Sequence, residues 1–405
     1  MNIIRFSELG LSRPLVDILH GLGFSQPTEI QTLVLPPAMA GQDIIASAET
    51  GSGKTAAFLL PVIERLARPG SLRALILAPT RELAIQIESN AKSLCKASGL
   101  RSAAIVGGQN YSVQTRALNA GIDILIATPG RLNDLIERGA VALKGIEILV
   151  LDEADRMLDM GFLPQVKRII SRLPRSRQNM LLTATLSDGV ERLAREIMAD
   201  AVRIQAGPPD KTVATLSQKA FPVLGHAKVP LLLDLLKRNP ESSFLVFAGT
   251  KREADRLTHV LTVNRHQVVT LHSDRSQSQR NSALGSFRRG NARVLVATDV
   301  AARGIDVDDI AFVVNYDVPA TAEDYIHRVG RTARAGREGC ALTLVSPDEE
   351  VALASIERKT GVTLERTRLS GFSDGRTESQ VKLATEIALL RSTSSGSYRR
   401  SRPQR

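Results

Sequence analysis

Ile146-Glu147-Ile148-Leu149-Val150-Leu151-Asp152-Glu153-Ala154-Asp155 joins a short aliphatic run to an acidic turn. A near-continuous apolar run of this length suits a strand buried on both faces, as in a parallel sheet covered by helices. The same pattern recurs along the chain. In the first half it appears at Ala74–Ala78, Ala103–Val106, Ile124–Ala127, Met180–Thr183 and Val202–Ile204, with a further strand-like stretch at Asp43–Ala46. In the second half it appears at Phe244–Phe247, Val268–Leu271, Val294–Ala297, Phe312–Asn315 and Ala341–Val345. Each run ends at a polar or glycine-bearing turn and leads into a helical pattern. One such pattern is Glu82–Leu94, where Leu83, Ile87, Ala91 and Leu94 form an apolar stripe behind a Thr80 N-cap. Strands alternating with helices predict βαβ units, hence an α/β fold.

Gly207-Pro208-Pro209 continues neither a helix nor a central strand, so a connector falls there. The expected organisation is one α/β domain over 1–206, a linker over 207–215 and a second α/β domain over 216–370. A mostly disordered Arg/Ser-rich tail is expected over 371–405. The helix Glu349–Arg358 and a strand within Val362–Leu369 are expected to close the second domain.

Composition narrows the function. The chain has 405 residues and a net charge of +11, which points to a polyanionic partner. Its last fifteen residues hold Arg391, Arg399, Arg400, Arg402 and Arg405 and no acid, a cationic arm suited to salt-sensitive attraction to nucleic acid. Ten Phe, four Tyr and no Trp leave few platforms for base stacking, so a bound strand should be gripped by phosphates and sugars. The two cysteines, Cys95 and Cys340, form no CxxC pair and read as reduced thiols. No apolar run approaches the ~18 residues of a membrane span, and Met1–Gly10 lacks the apolar core of a signal peptide. A cytoplasmic location and no membrane partner are therefore expected.

In open α/β sheets ligands sit at the carboxyl ends of strands. After Asp43–Ala46 comes Ala48-Glu49-Thr50-Gly51-Ser52-Gly53-Lys54-Thr55, opening a helix at Ala56–Leu60. The amides of such a glycine-rich turn cradle phosphate, a lysine reaches the β- and γ-phosphates, and a threonine hydroxyl can ligate Mg²⁺. Asp152 and Glu153, directly after a buried strand, suit a water-bridged hold on Mg²⁺ and the orientation or deprotonation of an attacking water. A phosphate loop and an acidic strand end in one domain point to nucleotide hydrolysis.

Asp152-Glu153-Ala154-Asp155 spells the signature of the DEAD-box ATP-dependent RNA helicases, and over residues 1–365 the chain resembles the bacterial members of that family. The family's phosphate loop also begins with Ala, as here at Ala48. Gly23-Phe24-Ser25-Gln26-Pro27-Thr28-Glu29-Ile30-Gln31 is similar to its adenine-recognition motif, with Phe6 in the position of its isolated upstream aromatic. The resemblance implies two tandem RecA-like domains. It implies that Thr50, Gly51, Ser52, Gly53, Lys54 and Thr55 bind ATP, with Thr55 and Asp152 on Mg²⁺. Phe24 would stack on adenine and Gln31 would bond its Hoogsteen edge, where an amide's one donor and one acceptor match adenine and not guanine.

Pro79, Thr80, Arg81, Gly107, Gly108, Thr128, Gly130 and Arg131 would contact the RNA backbone, joined by Gln277, Arg280 and Thr298 of the second domain. Gly304 and Asp306 would bind nucleotide, Asp306 at the ribose. In His327-Arg328-Val329-Gly330-Arg331-Thr332-Ala333-Arg334, two arginines three apart on a helix share one face. Arg331 and Arg334 are therefore expected as arginine fingers at the γ-phosphate. Asp155, Thr183, Thr185 and His327 would couple the ATP and RNA sites.

The chain departs from the family pattern at four places. Thr183-Ala184-Thr185 stands for Ser-Ala-Thr, Ala333 for a common Gly, Ser273 for the usual Gly after His272, and Arg275 for a common apolar residue. The resemblance implies an RNA-dependent ATPase that closes its domains on ATP and single-stranded RNA and locally unwinds short duplexes or remodels RNA–protein complexes. It is expected to act as a monomer, with ribosome-assembly or RNA-decay proteins as partners. Two other readings fit some features: a nucleotide-gated RNA clamp or annealing chaperone, and a DNA helicase or translocase.

Overall fold

The computed structural model describes residues 4–48, 51–96, 98–206, 216–302, 310–333 and 338–373. Thr50, Gly304, Asp306 and Arg334, together with the 207–215 linker and the tail from 374 onward, lie outside the described residues. The chain divides into two units, Met1–Asp210 and Lys211–Arg405. Among the described residues, no helix is long and apolar enough to cross a membrane.

The first unit contains strands β1 Ile44–Ser47, β2 Ala74–Leu77, β3 Ser102–Ile105, β4 Ile124–Ala127, β5 Ile148–Leu151, β6 Gln178–Thr183 and β7 Val202–Gln205. They form one sheet in the order β3-β4-β2-β5-β6-β1-β7, and every pairing is parallel. Alternate side chains feed two cores, one on each face. Ile44, Ala74, Ile76, Ile124, Ile126, Ile148, Val150 and Leu182 pack with Phe58, Leu19 and Phe6 on one face. Leu75, Leu77, Leu125, Leu149, Leu151 and Leu181 pack with Leu132, Met157 and Val190 on the other. Burial on both faces explains why these strands read as unbroken apolar runs.

The second unit repeats the plan with β8 Leu216–Pro222, β9 Phe244–Phe247, β10 Val268–Leu271, β11 Val294–Ala297, β12 Phe312–Asn315, β13 Gly339–Val345 and β14 Glu365–Arg366. The order is β10-β11-β9-β12-β13-β8-β14, again parallel throughout. Phe244 and Phe312 stack across neighbouring strands with centroids 4.7 Å apart.

Expected and observed elements agree to within a residue or two at most ends, the ordinary uncertainty of a frayed terminus. Two differ more. Sequence patterning gives no strand at β8, because Leu216-Ser217-Gln218-Lys219-Ala220-Phe221-Pro222 mixes polar and apolar residues. Its register against β13 supplies what the pattern lacks, from Leu216 opposite Gly339 to Pro222 opposite Val345. Within Val362–Leu369 only Glu365–Arg366 pairs as a strand.

Ala333 adopts φ 55°, the left-handed region that disfavours a side chain. It is held there because Thr332 Oγ1 donates to the Ile310 carbonyl, and the Thr332 hydroxyl and Ala333 backbone pass so close to Gly339 that a Cβ at 339 would collide with them. Ala333→Gly is therefore expected to stabilise the protein by about 1 kcal/mol, net of the greater freedom glycine has in the unfolded chain. Equilibrium denaturation measures it, and an unchanged or lowered stability contradicts the strain.

Candidate functional site

The carboxyl ends of β1, β5 and β6 are neighbours in the sheet, and the acidic and phosphate-loop residues gather there. After β1 the chain turns through Gly51 and Gly53, at φ 88° and 97°, into the helix Lys54–Leu66. A Cβ at Gly53 would stand 2.5 Å from Gln31 Nε2 and 2.9 Å from Thr28 Oγ1, so this position requires glycine. Gln31 is buried at the start of the helix Glu29–Met39. Its Oε1 accepts from the Thr28 amide at 3.0 Å, and its Nε2 donates to the Gly53 carbonyl at 3.2 Å. The amide thus ties the 23–31 segment to the loop. Phe24 is 37% exposed and accessible to a flat ligand, whereas Phe6 is a core residue at 1%.

Lys54 is buried, and its Nζ donates to the carbonyls of Ala48 and Thr183. Burial pulls its pKa down, against the opposing pull of Asp152, Glu153 and Asp155. Asp152 is 2% exposed, and burial, reinforced by the neighbouring Glu153, pushes its carboxyl up to about 7. Its Oδ1 accepts from the Glu153 amide at 3.0 Å.

Glu153 itself has φ 52° and ψ 54° as N-cap of the helix Ala154–Asp159. Its Oε2 accepts from Arg156 Nη1 in a largely buried ion pair. Asp155 Oδ2 accepts from the Ala184 amide (3.0 Å), the Thr185 amide (2.8 Å) and Thr185 Oγ1 (3.0 Å). Thr183 Oγ1 donates to the Thr185 carbonyl at 2.7 Å, so the extra methyl of threonine leaves the hydroxyl's bond intact.

The other end of the same edge carries the residues expected at the RNA backbone, after β2, β4 and β3. Thr80 caps the helix Arg81–Leu94 by accepting from the Leu83 amide at 3.2 Å. Arg81 lies against Gly107 and Gly108, where a Cβ at Gly108 would collide with its guanidinium. Thr128 is the N-cap of the helix Pro129–Glu137, and Gly130 in its first turn faces open space. Arg131 donates to the Gln109 carbonyl at 3.3 Å and to Gln114 Oε1 at 3.4 Å, while buried Gln114 donates to the Val106 carbonyl at 2.8 Å. Gln114 is a brace that sequence reading did not single out.

In the second unit, the ends of β10 and β11 bring Arg280 and the turn after Thr298 together, with Arg280 Nη2 3.3 Å from the Ala301 carbonyl. Gln277 opens the helix Gln277–Arg288 and bonds Asn281 at 3.1 Å. His327 lies on the helix Ala322–Val329. Arg331 does not: the helix ends at Val329, Gly330 caps it, and Arg331 lies buried in the following turn. The expectation that Arg331 and Arg334 share a helical face is corrected on that ground.

The missed residue here is Arg328, which is 2% exposed. It forks onto Asp299 at 2.6 and 2.7 Å, donates to Asn315 Oδ1 and the Asp317 carbonyl, and stands 5.0 Å from the Phe247 ring centroid. The departure at Arg275 is also explained. Its guanidinium donates to Asp255 Oδ1 at 2.7 Å, the oxygen that lies 3.0 Å from buried His272 Nε2.

A parallel-sheet domain whose carboxyl edge joins a glycine–lysine–threonine helix start to an acidic strand end is a phosphate-binding nucleoside triphosphatase domain. Comparison with known proteins gives the family. The DEAD/DEAH box helicase model matches residues 28–193, and the helicase conserved C-terminal domain model matches 227–336. The DEAD-box ATP-dependent RNA helicase CshA of Geobacillus kaustophilus is 38% identical over 385 residues, covering 95% of this chain and 82% of that protein. DEAD-box ATP-dependent RNA helicase 28 of Oryza sativa is 42% identical over 367 residues, 89% of this chain but only 46% of the rice protein. The solved structure of S. cerevisiae Dbp5 bound to RNA and ADP BeF3 matches with a TM-score of 0.83 at 31% identity, covering 95% of this chain and 99% of that one. The chain belongs to the DEAD-box ATP-dependent RNA helicases, a family of ATP-hydrolysing enzymes.

Because the folded pKa of Asp152 is about 7, against 3.8 for an ordinary aspartate, folding takes up a proton between those values. Stability is lost as pH rises through this window. Asp152→Asn is therefore expected to raise the melting temperature measured without nucleotide. The gain should be absent below about pH 4, grow up to about pH 7 and stay constant above it. A gain independent of pH contradicts the assignment.

Proposed function

We propose that this chain is an RNA-dependent ATPase that grips single-stranded RNA by its backbone and locally unwinds or remodels short RNA duplexes or RNA–protein complexes, with little sequence preference. The observation that carries the proposal is the shared edge of the first sheet. Phosphate-loop and acidic residues occupy its β1, β5 and β6 portion, and arginine, glycine and helix N-termini occupy its β2, β4 and β3 portion. The triple acceptance by Asp155 locks the strand end of β5 to that of β6. A change at the nucleotide can then move the Thr183–Thr185 turn.

The adenine would lie on Phe24 with Gln31 at its edge. Gln31 spends one donor and one acceptor on Gly53 and Thr28, and an amide retains a second of each. Gly51, Ser52 and Gly53, with Thr50, would cradle the triphosphate, and Lys54 would leave the Ala48 carbonyl for the β- and γ-phosphates. The donor set fits Mg²⁺, a hard ion that takes one or two protein oxygens and fills its shell with phosphate and water: Thr55 Oγ1 and the Asp152 carboxylate supply them. Bound there, Mg²⁺ would neutralise charge developing on the phosphates.

In hydrolysis the water oxygen forms a bond to the γ-phosphorus. The bond to the β–γ bridging oxygen breaks, with its electron pair leaving on ADP. Glu153 accepts the water's proton. Arg331 and Arg334 of the second unit would balance the transition-state charge, with Asp306 and Gly304 at the nucleotide. Arg328, clamped on Asp299, stands near the end of the helix that leads into the turn of Arg331. Arg81 and Arg131, with Pro79, Thr80, Gly107, Gly108, Thr128 and Gly130, and Gln277, Arg280 and Thr298, would hold phosphates and sugars.

Steady-state ATP hydrolysis at low salt, with no polymer, single-stranded RNA or single-stranded DNA, is the test. RNA alone should stimulate, and GTP should not substitute. Glu153→Gln should lose about 10²-fold or more of the rate, and Arg331→Ala about 10³-fold. Equal stimulation by DNA would make the chain a translocase instead. ATP-dependent annealing without strand separation would make it an annealing chaperone.

A further inference from the structure

Arg156 follows the acidic signature directly, in the first turns of the helix Ala154–Asp159. In the structure it is 2% exposed, deeper than Glu153. Its Nη1 donates to Glu153 Oε2, and this is its salt bridge among the described residues. Its Nε is buried without a hydrogen-bond partner. The residue it holds has a left-handed backbone, at φ 52° and ψ 54°. That conformation is uncommon for glutamate, and strain of this kind persists where the surroundings fix a side chain's position.

We infer that Arg156 is a positioning residue for ATP hydrolysis: it holds the Glu153 carboxylate by Oε2 and so fixes the direction from which that carboxylate takes the attacking water's proton. The inference rests on the reading of Glu153 as the base. Two physical points favour a permanent clamp over a latch that lets go. Releasing Glu153 would leave a buried guanidinium without its counter-ion, a penalty too large to meet in every turnover. A base whose orientation is set by a third group is also the ordinary arrangement where a proton must be taken at one fixed point. In this reading Arg156 acts through Glu153 and not on the substrate itself. It acts by fixing the plane and direction of the carboxylate, where a displacement near 1 Å can cost about 10²-fold in rate.

The experiment measures kcat and KM for ATP at saturating single-stranded RNA for the full chain and for Arg156→Gln, Arg156→Lys and Glu153→Gln. RNA affinity in the presence of a non-hydrolysable ATP analogue is measured for each. Arg156→Gln is expected to lower kcat at least about tenfold while leaving KM for ATP and analogue-dependent RNA affinity within about twofold. Arg156→Lys, which keeps the charge but not the planar fork, is expected to recover part of kcat and remain about two- to fivefold below the parent.

A parental kcat in either variant overturns the inference. So does a loss of RNA affinity in proportion to the loss of kcat, since that is what a merely structural role predicts. If Arg156→Gln fails to fold, the kcat of Arg156→Lys decides on the same terms. Substantial turnover in Glu153→Gln removes the base assignment itself. An inactive Glu153→Gln beside a fully active Arg156→Gln removes only the role of Arg156.

Discussion

Buried charge at the carboxyl edge of the first sheet is the constraint on which the rest of that unit depends. Lys54, Asp152, Asp155 and Arg156 are all at most 8% exposed, and Glu153 lies beside them. Each charge removed from water must be repaid by a partner or by a shift toward the neutral form. The fold answers in both ways. Asp155 is satisfied by two amides and a hydroxyl, and Glu153 by Arg156. Lys54 and Asp152 are driven toward neutrality by burial. A triphosphate with a divalent cation would reverse that drive for both, favouring the charged lysine through the phosphates and the charged aspartate through the metal. The energy of burying these groups would thereby be coupled to ligand binding.

The parallel sheet turns that coupling into geography. Every strand points the same way, so every functional turn falls on one edge, and the strand order decides which turns are neighbours. β5 lies between β2 and β6, so its acidic end stands between the glycine–lysine turn and the Thr183–Thr185 turn on one side and the arginine- and glycine-bearing turns on the other. The second unit uses the same strand order with different chemistry. At its edge the central feature is not a phosphate loop but the buried Arg328, tied to the ends of β11 and β12. One architecture thus presents a glycine–lysine loop in the first unit and a buried, carboxylate-paired arginine in the second.

The sequence made the strands legible where burial was two-sided, because an unbroken aliphatic run has few other uses in a chain of ordinary composition. It failed at β8, whose partly exposed residues follow no period and are recruited by register against β13. The glycine loop and acidic turn were legible because their chemistry demands particular residue types. Arg156 and Arg328 were not. Both stand in helical stretches where an arginine ordinarily faces solvent, and only tertiary packing reveals that each is sealed in with a carboxylate. The helical periodicity extended through Arg331 was misleading for a related reason. Gly330 and the left-handed Ala333 end the helix early, and backbone handedness leaves little trace in a run of otherwise helix-compatible residues.

The departures from the family pattern follow a physical rule. Thr183 adds a methyl group at a fully buried position, yet its hydroxyl keeps the function a serine would have, because the bond to the Thr185 carbonyl uses only the oxygen. Arg275 replaces an apolar contact by a charge, and Asp255 is present to receive it while also facing His272. In both cases a hydrogen-bonding group absorbs the change, within the turn itself for Thr183 and on the neighbouring helix Lys251–Val263 for Arg275. Ala333 has no such compensation. Its strain is backbone strain, which no neighbouring side chain can relieve, and it lies just beyond the arginine turn. The rule separates them: changes that hydrogen bonding can absorb leave the geometry of the turn intact, whereas a change that alters permitted dihedrals persists as strain in the segment that must carry Arg331.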